Sequence, residues 1–118
     1  MKKIYSVLVE NRSGVLCKVA GLFSRRSFNI DSLAVGETDD KEVSCMTIVS
    51  SGNQRTLEQI EKQLNKLVDT MKVRTLAPDE LLARELQLIK VNATPAQRSE
   101  ILTICDIMGA KIIDMTSN

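Results

Sequence analysis

Residues 10–33, ENRSGVLCKVAGLFSRRSFNIDSL, decide how the rest of the chain is read. A β-branched run at residues 3–9 (KIYSVLV) leads into this stretch and predicts a strand buried on both faces. It stops at a polar turn of Asn11, Arg12, Ser13 and Gly14. Directly after the glycine, Val15, Val19, Leu22 and Phe23 recur at helical spacing, with Leu16 and Ala20 beside them. Arg25 and Arg26 close that helix, where cations suit the negative end of its dipole. Residues 28–37 (FNIDSLAVGE) then predict a second strand.

Outward from this unit, residues 38–41 (TDDK) form a turn of side chains that bond their own backbone. Residues 42–50 alternate as a third strand, Met46 and Ile48 on one face, Cys45 and Val49 on the other. Ser51, Gly52 and Asn53 break it. Leu57, Ile60, Leu64, Leu67, Val68 and Met71 then mark a second helix, with Glu58 and Lys62 in favourable order on its outer face. Residues 72–76 make a short fourth strand. The order βαββαβ over residues 1–76 predicts an α+β, ferredoxin-like domain: four antiparallel strands with two helices on one face. Residues 77–84 (APDELLAR) read as a linker. Beyond it, residues 85–93 alternate as a strand, and Thr94, Pro95 and Gln97 start a helix with a capping box. Ile101, Leu102, Ile104, Cys105 and Met108 line that helix, Gly109 ends it, and residues 110–116 predict another strand. Residues 85–118 are thus expected to be the truncated (βαβ) start of a second α+β domain, a half that cannot cover its own apolar face.

Composition excludes several classes. Net charge is +1, too near neutral to indicate nucleic acid or an anionic membrane as partner. There is no histidine, and Cys17, Cys45 and Cys105 are widely spaced, so neither a zinc site nor a disulfide framework is indicated. The cysteines read as reduced, small buried hydrophobes. No signal peptide or membrane span is evident, and the expected location is cytoplasmic. No GxSxG, metal-ligand spacing or cofactor motif marks an enzyme. The middle strands carry no stacking aromatics of the kind that bind RNA.

The turn at residues 11–14 admits two readings. The first turn of a helix leaves backbone N–H groups unpaired, and with the dipole they attract an anion. Gly14 removes the Cβ that would keep a ligand away, Asn11 and Ser13 add polar groups, and a carboxylate suits the site better than a nucleotide. Alternatively, the turn only starts a helix with Ser13 as N-cap, and Asn29 only ends one or shapes a turn. The second strand would lie at a sheet edge, yet residues 29–36 carry a single charge, Asp31. An edge without charges or proline suggests pairing with the same strand of a second copy. Such a homodimer would bring one turn near the other copy's Asn29 and Ile30.

The blocks SVLVENRSGVLCKVAGLFSRRSFNIDSLAVGETDD, LEQIEKQLNKLVDTMKV and RELQLIKV resemble, in order and spacing, the small regulatory subunits of acetolactate synthase (acetohydroxyacid synthase). The N-terminal module of that family is an amino-acid-sensing ACT domain. The resemblance implies a chain that is not itself an enzyme and carries no cofactor. Its partner would be a separate, large catalytic subunit using thiamine diphosphate, magnesium and FAD. It also implies feedback inhibition by a branched-chain amino acid, most often valine, bound between two ACT domains. Carried over by position, Asn11, Gly14, Val15 and Leu16 belong to the ligand turn, and Asn29 and Ile30 to the facing strand of the neighbour. In this reading the amides near Gly14 meet the carboxylate, the asparagines orient the ligand, and Val15, Leu16 and Ile30 meet its side chain. Two departures stand out. Family members continue through a complete C-terminal domain, and Ser27 stands where the family usually has glycine. An amino-acid sensor serving another partner, or a dimerisation module that binds nothing, would share much of this pattern.

Overall fold

A computed structural model describes residues 1–116. Its secondary structure begins with β1 (Lys2–Glu10), α1 (Val15–Arg25), β2 (Ser32–Glu37), β3 (Val43–Ser51), α2 (Gln54–Asn65) and β4 (Thr70–Leu76). A 3₁₀ turn (Pro78–Glu80) and α3 (Pro95–Met108) follow. The four strands form one antiparallel sheet in the order β2-β3-β1-β4. This is the expected βαββαβ order, with β2 at an edge. The chain divides into two compact units, Met1–Ala83 and Arg84–Asn118.

The core of the first unit lies between the sheet and its two helices. Tyr5, Val7 and Val9 of β1 and Met46 and Ile48 of β3 meet Val15, Val19, Leu22 and Phe23 of α1 and Leu57, Ile60 and Leu64 of α2. Phe28 and Ile30 seal the corner where α1 turns toward β2, Phe28 lying edge-on to Phe23 with ring centroids 6.1 Å apart. The Tyr5 hydroxyl, buried beneath α2, donates to the Leu57 carbonyl at 2.9 Å. Burial and the nearby Glu61 push its pKa up to about 12.

Four sequence expectations are corrected here. β1 alternates instead of being buried on both faces: Ile4, Ser6 and Leu8 are half-buried, because both helices of this unit pack on the face that carries Tyr5, Val7 and Val9. The second strand is shorter than residues 28–37, since Phe28 and Ile30 turn into the core before β2 begins. α2 ends at Asn65, and Met71 belongs to β4, where Thr70 pairs with Val9 and Val73 with Val7. Apolar residues at helical spacing continued past Asn65, but the sheet's edge captured the chain; Val68 is left 95% exposed. The cysteines are not buried either: Cys17 is exposed, and Cys45 and Cys105 are half-buried.

In the second unit α3 begins and ends as the sequence predicts. The Thr94 amide donates to Gln97 Oε1 at 3.0 Å, and Gly109 takes a left-handed conformation (φ 71°). The flanking segments 85–93 and 110–116 pair into no sheet among the described residues, so the expected βαβ has its helix without its ladder. A strand is defined by a paired strand beside it, and neither segment has one among the described residues. No described residue of this unit is buried. Among the described residues no helix is long and apolar enough to cross a membrane.

Candidate functional site

Where β1 leaves the sheet, the chain must turn sharply to begin α1. Two short backbone bonds shape the turn, Arg12 N–H to the Glu10 carbonyl at 3.0 Å and Val15 N–H to the Arg12 carbonyl at 3.4 Å. Gly14 then takes φ +87° as N-cap, with no side chain capping the helix. Ser13 is therefore not the N-cap. The first bond of the helix runs from Lys18 N–H to the Gly14 carbonyl at 3.1 Å, and the amides of Leu16 and Cys17 find no acceptor among the described residues. A Cβ on Gly14 would meet open space, so the glycine serves its backbone angle and leaves the amides uncovered.

Side chains tie the turn down on two sides. Asn11 reaches the β2–β3 loop, its Nδ2 donating to the Lys41 carbonyl at 2.8 Å and lying 3.5 Å from Glu37 Oε1, while its own amide donates to the Glu42 carbonyl at 2.7 Å. On the opposite side Arg12 reaches Asp69, just before β4. An open cavity of about 360 Å³ at the other end of β1, lined by Lys3, Thr75, Leu76 and Pro78, includes none of these residues. Among the described residues no cluster of side chains could hold a metal ion.

The six residues named from the sequence fall in two groups. Asn11, Gly14, Val15 and Leu16 lie together at the turn. The Val15 side chain is buried in the core, so only its backbone faces the turn, whereas Leu16 is 44% exposed. Asn29 and Ile30 precede β2 at the opposite end of the sheet, where Asp31 N–H bonds the Val49 carbonyl. The Asn29 Nδ2 donates to Asp31, and its carbonyl accepts from the Ser50 hydroxyl. Hydrogen bonds from the Ser51 hydroxyl and from Asn29 hold the Asp31 carboxyl below the ordinary carboxylate range. Asn29 does not cap the helix; the left-handed position after α1 belongs to Ser27, at φ +57°. One chain does not bring the two groups together. Reading the sequence did not find Asp69 or its two cationic partners, because they are more than fifty residues apart and no local pattern joins them.

Comparison with known proteins supplies the family and the fold. A family model for the acetohydroxyacid synthase small subunit-like ACT domain matches residues 5–72, and one for the small subunit of acetolactate synthase matches residues 84–118. The acetolactate synthase small subunit of Haemophilus influenzae is 52% identical over 116 residues, covering 98% of this chain and 71% of that protein. The crystal structure of the small subunit from Thermotoga maritima superposes with a TM-score of 0.84 at 38% identity, covering 98% of this chain and 73% of that one. The ACT domain of a GTP pyrophosphokinase from Chlorobium tepidum shares the fold alone, with a TM-score of 0.55 at 17% identity over 65% of this chain and 86% of that domain. An α+β ACT fold with sequence similarity running nearly the length of this chain places it in the acetolactate synthase small-subunit family.

Proposed function

We propose that this chain is the regulatory subunit of an acetolactate synthase, raising the activity of a separate catalytic subunit and making it sensitive to valine. In this reading residues 1–76 bind the effector and dimerise, and thiamine diphosphate, magnesium and FAD belong to the catalytic subunit. The supporting observation is the register at the sheet edge. Among the described residues β2 has no neighbour on its outer side, and Leu33 and Val35 stand 39% and 45% exposed there. Antiparallel pairing of two β2 strands about a two-fold axis sets the Ser32 end of one beside the Glu37 end of the other. Glu37 lies next to Asn11. The pairing therefore carries Asn29 and Ile30 of one copy toward the Asn11–Gly14 turn of its partner, joining the two groups that one chain keeps apart.

The chemistry of that junction suits a small amino acid. The unpaired amides of Leu16 and Cys17, at the positive end of α1, attract its carboxylate. The amide nitrogens of Asn11 and Asn29 are engaged by Lys41 and Asp31, which leaves their Oδ1 atoms as acceptors for the ammonium group. Leu16 and Ile30 supply apolar surface for a branched side chain. Titration calorimetry with L-valine, L-leucine and L-isoleucine tests the reading. We expect saturable valine binding with a Kd of roughly 10 µM to 1 mM, about −4 to −7 kcal/mol. Gly14→Asp should abolish it, because the substitution sets a negative charge at the carboxylate's place on a left-handed backbone. Mixed with its catalytic subunit, the chain should raise acetolactate formation; no heat from any of the three ligands and no change in rate would refute the proposal.

A further inference from the structure

We propose that Asp69 is a positioning residue for the effector turn, holding residues 11–14 in their ligand-accepting shape through Arg12 and Lys18. The inference rests on the effector reading above and adds a residue from a distant part of the chain. Asp69 is only 4% exposed, in the bend between α2 and β4. A carboxylate taken that far from water is costly unless it is paired and hydrogen-bonded. Here both oxygens are engaged: Oδ1 accepts from Arg12 Nη2 at 2.5 Å and Oδ2 from Lys18 Nζ at 2.9 Å. The Asp69 carbonyl also accepts the Glu10 amide at 3.0 Å. One residue thus fastens the end of β1, the turn itself and the first turn of α1.

The turn needs such a brace. Its own backbone bonds are few, and Gly14 opens conformations that other residues would forbid. Asn11 anchors one side to the β2–β3 loop, and Asp69 anchors the other. A loop already held in its bound shape loses less freedom when a ligand arrives. The same contacts decide the electrostatics. Arg12 pairs with Glu10 as well as Asp69, so both cations beside the turn are neutralised, and recognition of a carboxylate falls to the backbone amides. Hydrogen bonds from Lys18 and Arg12 hold the Asp69 carboxyl below its ordinary range despite its burial, so the brace is charged at neutral pH.

The test is L-valine titration of the wild-type chain beside Asp69→Asn, Arg12→Gln and Arg12→Lys, well below each thermal midpoint, with hydrogen exchange at amides 12–17. Asp69→Asn keeps the shape and removes the charge. Arg12 is 62% exposed in its side chain and meets Asp69 through one nitrogen, so Arg12→Gln should fold and a lysine can replace the single contact. We expect at least tenfold weaker valine binding in Asp69→Asn and Arg12→Gln, and faster exchange at the turn with core amides unchanged. Arg12→Lys should bind within threefold of wild type. If Asp69→Asn does not fold, the Arg12 pair decides. Affinities within twofold of a binding wild type in both Asp69→Asn and Arg12→Gln, or a loss that lysine does not rescue, overturn the positioning role alone. Silence from the wild type overturns the effector reading with it.

Discussion

Replacing Ser27 by glycine should stabilise the first unit, and the size of the gain follows from the backbone. Ser27 sits at φ +57°, the one residue other than glycine with positive φ among the described residues. A left-handed conformation costs an L-residue roughly 1–2 kcal/mol, because its Cβ crowds the following carbonyl. Glycine escapes that cost but brings a more flexible unfolded chain, which returns about 0.4–1 kcal/mol. Ser27 is exposed, and its hydroxyl makes no hydrogen bond among the described residues, so nothing else is lost. The midpoints of these two ranges leave a net gain of about 0.8 kcal/mol. In a unit the size of residues 1–83, that raises the thermal midpoint by ~2–8 °C. Urea denaturation at fixed chain concentration measures it as a higher midpoint with an unchanged slope. Ser27→Ala is the control, since alanine keeps the Cβ and should give no gain. An unchanged or lower midpoint in Ser27→Gly would refute the strain argument.

Other consequences are as direct. Tyr5→Phe removes the hydroxyl's bond to the Leu57 carbonyl, which keeps its helical partner, the Glu61 amide, and should cost about 0.5–1.5 kcal/mol in chemical denaturation. Val35→Lys sets a charge on the edge proposed to pair, so light scattering should give a dimer for the wild type and a monomer for the variant; equal masses would refute pairing through β2. Asp69 has a folded-state pKa below the ordinary 3.8, so its stabilising effect is fully present above that pH and lost as pH falls through the folded value. The stability difference between wild type and Asp69→Asn should therefore be constant near neutrality and shrink below pH 3.8. A difference that persists into strong acid would show that the carboxylate's charge is not the cause.

Much of this protein is carried by local pattern. The apolar spacing of Val15, Val19, Leu22 and Phe23, the alternation around Met46 and Ile48, and the caps at Thr94 and Gly109 need only the geometry of a helix or strand. They hold because each depends on residues a few positions apart. The turn before Gly14 was legible for the same reason, but that the glycine itself caps the helix at positive φ, in place of Ser13, came only from the structure. Tertiary structure decided the rest. The α2–β4 boundary moved because pairing with β1 outweighed the helical spacing of Leu67, Val68 and Met71. The segments around α3 showed strand-like sequence, but a strand exists only with a neighbour. Asn11 turned its amide nitrogen toward the Lys41 carbonyl, thirty residues on, and Asp69 found Arg12 and Lys18 more than fifty residues away. Contacts of that kind leave no periodic trace in the chain, because the fold, and not the spacing of residues, brings their partners together.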